Sequence, residues 1–117
     1  MKLEITTKIE NEYILFSAQS TLSIENITPL KTLLNKHIDE NKHILIDLSG
    51  ITFIDSSALG ILVISNAKLE KNNKRLLLIN LSNDMMRMFK STKLDNHIRI
   101  FDDVASAINS LGVNIDL

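Results

Sequence analysis

A carboxylate and two hydroxyls stand side by side at Asp55-Ser56-Ser57, between the apolar runs Ile44 to Ile54 and Ala58 to Ile64. Polar groups amid so much hydrophobic surface need hydrogen-bond partners or a capping task. Asp and Ser both serve at a helix N-cap, where a side-chain oxygen accepts from the unpaired first-turn N–H groups. Capping by Asp55 or Ser56 is therefore the simplest role for the triplet. A hydroxyl displayed at the start of a helix also admits a second chemistry. It can be phosphorylated without unfolding anything, adding about −1.5 to −2 charges at pH 7. The helix end tolerates that anion within the domain itself. A partner surface that had desolvated the neutral serine would instead face a poorly paired dianion beside Asp55, at a cost of several kcal/mol. Since about 1.4 kcal/mol is a factor of ten in affinity, one phosphate suffices to release a partner.

The elements that must hold this triplet follow from hydrophobic periodicity. Leu3 to Ile9 and Tyr13 to Ala18, rich in β-branched and aromatic residues around Glu10-Asn11-Glu12, form a predicted hairpin. From Ile24 the apolar residues Ile27, Leu30, Leu33, Leu34 and Ile38, with His37, recur at helical spacing, and Pro29 falls in the first turn, where its missing N–H costs little. His43 to Leu48, bounded by Asn41-Lys42 and Ser49-Gly50, is a strand buried on both faces and hence central. After the triplet, Leu59, Leu62, Val63, Asn66 and Ala67 line one face of a helix that ends in the solvated stretch Lys68 to Lys74. Leu76 to Ile79 is the next buried strand, Met85, Met86, Met88 and Phe89 mark a third helix, and Ile98 to Phe101 is a last strand. Asp103 to Leu111 closes the fold as a helix with Gly112 at its end. The expected fold class is α/β. It is one domain over residues 1–117, with a mixed sheet, an N-terminal hairpin and about four helices packed mainly on one face.

Composition narrows the function. The 117 residues suit one compact domain, and a 44% hydrophobic content fills its core. Lys plus Arg number 13 against 14 for Asp plus Glu, a near-balance without the basic field that nucleic-acid binding requires. With no cysteine, disulfides, thiolate metal sites and thiol catalysis are all absent, which suits a reducing cytosol. No apolar run reaches the length of a membrane span, and Met1-Lys2-Leu3-Glu4 has no signal-peptide core, so a soluble cytoplasmic protein without membrane insertion is expected.

The run Asp55-Ser56-Ser57-Ala58-Leu59-Gly60, following Ile44-Leu45-Ile46-Asp47-Leu48 and Ile51-Thr52-Phe53-Ile54, resembles the signature of the STAS domain, most closely that of bacterial anti-sigma factor antagonists. The match in element order covers residues 3 to 111. The resemblance implies that Ser56 is the phosphorylation site, that Asp55 orients it and that Ser57 supports the helix start. It further implies a non-enzymatic, cofactor-free protein whose unphosphorylated form binds an anti-sigma factor that is itself a serine kinase, freeing a sigma factor. Phosphorylation ends that binding, and a metal-dependent serine phosphatase restores it. The partner-binding residues implied are Asp55, Ser56, Ser57, Ala58 and Ser23. Two positions depart from the family pattern. Ala58 stands where glycine is usual, and its added methyl is expected to have a small effect, hindering a kinase backbone only where that position is tightly covered. In Gln19-Ser20-Thr21-Leu22-Ser23, where the family reads glycine, an acidic residue, an aliphatic residue and aspartate, Ser23 stands in place of the aspartate.

Other chemistries find less support. An aspartate after a buried strand also fits the phosphoacceptor of a receiver domain, but Glu10 and Glu12 lie on the wrong connection to hold Mg²⁺ and Phe101-Asp102-Asp103 lacks the lysine. His37, His43 and His97 fall on separate elements without ligand spacing, which favours surface or helix-face roles over a metal site. Ser56 lacks the nucleophile-elbow pattern of a hydrolase. The methionines of the third helix are expected to pack it on the sheet, with one or two left exposed as adaptable binding surface. A rival of another class is a STAS accessory subunit of an ABC-type lipid-transport complex, its same face binding the transporter ATPase.

Overall fold

The computed structural model describes residues 2–112. Its elements, in chain order, are β1 (Glu4–Ile9), β2 (Tyr13–Leu22), α1 (Thr28–His37), β3 (His43–Ile54), α2 (Ser56–Glu70), β4 (Leu76–Ile79), α3 (Asn83–Ser91), a 3-10 turn (Leu94–Asn96), β5 (Arg99–Phe101) and α4 (Val104–Ser110). The five strands lie in the order β1-β2-β3-β4-β5. Only β1 runs antiparallel to its neighbour, Ile5 facing Ala18 and Ile9 facing Ile14, and the remaining pairs are parallel. This is the mixed α/β sheet with an N-terminal hairpin that the sequence predicts, and β3 is its central strand.

Strand alternation divides the core into two layers. Ile44, Ile46, Leu48, Leu76 and Leu78 pack with Leu30 and Leu34 of α1, Leu62 and Leu69 of α2, and Met85 and Phe89 of α3. Leu45, Leu77 and Ile79 point the other way, onto Ala107 and Ile108 of α4. Three helices therefore cover one face and one short helix part of the other. A strand flanked on both faces has no polar side to present, which is why Ile44 to Ile46 and Leu76 to Ile79 are apolar without a break.

Several boundaries move from where periodicity puts them. β3 does not stop at Ser49-Gly50 but continues to Ile54, and β2 runs past Ala18 to Leu22. Gly50 is a requirement of close strand approach, because a Cβ there would lie 2.9 Å from the Ala18 carbonyl oxygen and 2.7 Å from Gln19 Cγ. The pairing slips between Ser17 and Gln19 and again between Ser20 and Thr21, so this extension is bulged. α1 starts at Thr28, not Ile24, because the Asn26 side chain closes a turn first, Oδ1 accepting from Ser23 N at 2.8 Å and Nδ2 donating to the Thr21 carbonyl at 2.7 Å. Ala67 is exposed, and Ser65 and Leu69 take its expected place on the buried face of α2. In α3, Met85 is buried and Met86 and Met88 are half-buried.

The histidines serve the scaffold. His43 is not a surface residue: it is buried in β3, and its Nδ1 accepts from the Arg75 N–H at 3.1 Å, so burial holds its pKa below the usual value. His37, also buried, pairs through Nδ1 with Glu40 Oε2 at 2.8 Å. His97 follows the 3-10 turn on the surface.

The bulge carries a strained residue. Ser20 adopts φ 115°, a region that favours glycine, and its Oγ is buried without a hydrogen-bond partner among the described residues. Strain of this kind and a buried orphan hydroxyl each cost about 1 kcal/mol or more, while glycine's greater unfolded-state entropy offsets about 0.5–1 kcal/mol. Ser20→Gly is therefore expected to stabilise the protein by about 1 kcal/mol, measured as a higher urea midpoint at unchanged slope. A lower midpoint would mean that the serine side chain supports the bulge.

Candidate functional site

The site forms where the C-terminal ends of β2 and β3 meet the start of α2. Thr21 pairs with Phe53 and Leu22 with Ile54, and the Asp55 N–H donates to the Leu22 carbonyl at 3.0 Å. Asp55 is extended (φ −100°, ψ 173°) and caps α2, Oδ1 accepting from Ala58 N at 2.9 Å. Its second oxygen, Oδ2, accepts from Ile24 N at 3.1 Å. One carboxylate thus starts a helix and ties it to the turn between β2 and α1. These donors, Ala58 first, then Ile24 and Ser57, hold the carboxyl below the ordinary aspartate pKa against a smaller opposing effect of desolvation.

Of the two capping candidates, Asp55 performs the task and Ser56 does not. Ser56 is the first residue of α2, exposed, and its hydroxyl has no hydrogen-bond partner among the described residues. Its backbone is fixed by the strand behind it and the cap beside it, while its oxygen is open to solvent and set at the positive end of a 15-residue helix. Ser57 is half-buried. Ser23 lies across the loop at the rim of the site, half-buried, with its Oγ 3.3 Å from Asn26 Oδ1.

Ala58 stands apart from the other four residues. It is 0% exposed and belongs to the core under α2, so its methyl points away from any approaching surface and cannot hinder a kinase backbone. The physical reason is helical geometry: two positions beyond Ser56 the side chain has turned about 200° around the axis, from solvent to sheet.

Sequence reasoning passed over three exposed residues near the site. Ile24, Phe53 and Ile64 are large apolar side chains exposed by 69%, 57% and 56%. Ile24 sits on the loop that Asp55 holds, Phe53 precedes the cap by two residues, and Ile64 lies two turns down α2 from Ser56. Asp55 is the only charged residue from Ile51 to Ala67, and the exposed Glu25 stands beside Ile24 on the loop. The role of Ile24 rests on a backbone N–H, which leaves no mark in a sequence. Phe53 could have been suspected as an aromatic residue just before a polar triplet. Among the described residues no group of His, Asp or Glu is arranged to hold a metal ion, and no helix is long and apolar enough to cross a membrane.

The chain is 24% identical over 101 residues to the anti-sigma-B factor antagonist of Staphylococcus aureus, covering 86% of this chain and 94% of that one. Its fold is similar to that of an anti-sigma factor antagonist from Mycobacterium paratuberculosis, with TM-score 0.84, 17% identity and 95% of each chain covered. It is also similar to the Bacillus cell fate determinant SpoIIAA in its phosphorylated form, with TM-score 0.71, 19% identity, and 92% of this chain and 99% of that one covered. The model of the STAS domain matches residues 4–107, a span that holds all five strands and the exposed Ser56, and the chain belongs to the STAS domain family.

Proposed function

We propose that this protein is an anti-sigma factor antagonist of the cytoplasm that works by partner switching. Its unphosphorylated form binds an anti-sigma factor with serine kinase activity and so frees a sigma factor, and phosphorylation of Ser56 ends the binding until a metal-dependent serine phosphatase removes the phosphate. The observation that carries this reading is the division of labour at the start of α2: Asp55 spends both carboxylate oxygens on backbone N–H groups, and Ser56 keeps a hydroxyl with no structural duty. Residues 51–67 contain no Lys or Arg to neutralise an added phosphate. The dianion must rely on helix N–H groups and water, and a docked partner removes the water. The resemblance to the S. aureus antagonist over nearly its whole length supports the same role.

The test is incubation with ATP, Mg²⁺ and, in turn, each histidine-kinase-like serine kinase encoded in the same genome, followed by intact mass and fragment analysis. One phosphate on Ser56, absent from Ser56→Ala, is the expected result. Unmodified protein with every kinase, or stable capture of a transporter ATPase in a form indifferent to phosphate, would overturn the reading in favour of a transport accessory subunit.

A further inference from the structure

The six residues Asp55 to Gly60 divide into those the domain needs and those it does not. Asp55 caps the helix, Ser57 presents its N–H to that cap, and Ala58 and Leu59 are core. Ser56 and Gly60 are left over, and both are exposed. A hydroxyl can be explained by modification, but a glycine at the fifth position of a 15-residue helix is a defect that destabilises the helix relative to alanine. Nothing among the described residues calls for it. A Cβ built at Gly60 meets no atom within 4 Å, and its φ is not in the left-handed region. At spacing i, i+4, Gly60 lies on the same face of α2 as Ser56, one turn away. Ile64, one turn beyond Gly60 on that face, is exposed.

Resting on the antagonist reading above, we propose that Gly60 is the point at which the backbone of the anti-sigma partner touches α2, with Ile64, one turn on, gripping an apolar side chain of the partner. A helix face without a charged residue from Ser56 to Ile64 and a large exposed hydrophobic at its end fit a desolvated protein contact, and the missing side chain at Gly60 lets a main chain come closer than any Cβ would permit. The arrangement also explains why a phosphate one turn away is decisive. A backbone seated over Gly60 places Ser56 inside the dried contact and not at its wet rim, so a dianion there loses its water and gains no cation.

The contact and the stability of α2 then pull in opposite directions, which separates this role from a structural one. Gly60→Ala is expected to raise Tm by about 4 °C, as a better helix former at an open site, and to weaken binding to the kinase that modifies Ser56 at least tenfold. Gly60→Leu is expected to weaken it further while remaining folded, since a Cβ at this position opens onto free space. Titration calorimetry of the wild type and both variants against that purified kinase, in its ADP-bound form, reads the affinities. If both variants bind as tightly as the wild type, Gly60 lies outside the interface and the inference fails, while wild-type binding keeps the antagonist function standing. If the wild type itself binds no such kinase, the antagonist reading falls and this inference with it.

Discussion

Ser56→Asp is expected to weaken binding to the anti-sigma partner about a hundredfold, corresponding to about 3 kcal/mol, while Tm changes by no more than about 2 °C. The second half of that expectation comes from the cap. Asp55, not Ser56, accepts from the first-turn N–H groups, so replacing Ser56 removes no hydrogen bond from the described structure. A carboxylate at the first helical position is also mildly favourable with respect to the helix dipole. The binding loss arises only when a partner strips water from the new charge, and the stretch from Ile51 to Ala67, which holds no Lys or Arg, offers it no compensation. Ser56→Ala should keep the affinity and lose only the response to ATP and kinase. Calorimetric binding and a thermal melt on the same samples decide the matter. A Ser56→Asp protein that unfolds, or one that binds as well as the wild type, would remove the switch from this residue.

Asp55→Ala is expected to produce the largest loss of stability at the site, because one substitution breaks two connections. α2 loses its cap and the Ile24 N–H loses its acceptor, which frees the turn between β2 and α1 that carries Ile24 and Ser23. A fall in Tm of about 5–10 °C is expected, together with faster amide exchange at Ile24. Asp55→Asn separates the two tasks. Its amide oxygen still caps α2, but its NH₂ faces the Ile24 N–H as a second donor, so about half of the stability returns and the Ile24 exchange stays fast. The same carboxylate sets an acid response. Because its folded-state pKa lies below the ordinary value of about 3.8, its contribution is complete above that value and is lost as pH falls through the folded pKa. Asp55→Asn should therefore flatten the decline of stability below about pH 4. Equal acid sensitivity in both proteins would assign that decline to other carboxylates, such as Asp103, whose pKa is lowered by Ser106 in the same way at the start of α4.

Much of the scaffold could be read from residue order alone, because burial imposes period and composition directly. The runs Ile44 to Leu48 and Leu76 to Ile79 announce strands covered on both faces, and Leu76–Ile79 falls where its four apolar residues place it. Asp103 before a short amphipathic segment and Gly112 after it mark α4, with Asp103 Oδ1 accepting from Ser106 N at 2.7 Å and Gly112 at φ 70°. Asp55-Ser56-Ser57 was visible as a polar triplet entering a helix for the same reason: polar residues in an apolar run demand a local explanation.

What sequence periodicity could not supply was everything that depends on a second strand or loop coming alongside. Gly50 punctuates a sequence as a turn would, yet it sits inside β3 because β2 lies against it too closely for a side chain. The helical pattern from Ile24 is genuine in spacing, but the Asn26 side chain folds back on Thr21 and delays α1 to Thr28. Which of Asp55 and Ser56 caps and which is displayed was open until the geometry of the β3–α2 junction settled it, since both residue types can accept the same N–H groups. The neighbourhood of Ser56 is likewise tertiary. Ile24 is 31 residues distant from Asp55 in the chain and is joined to it through a backbone N–H that any residue would carry. Local sequence thus dictated the elements and nominated the hydroxyl, because those follow from short-range propensity and burial. Long-range pairing alone decided that the aspartate is consumed by structure and the serine left free, because hydrogen-bond acceptors are allotted only when distant strands and loops converge.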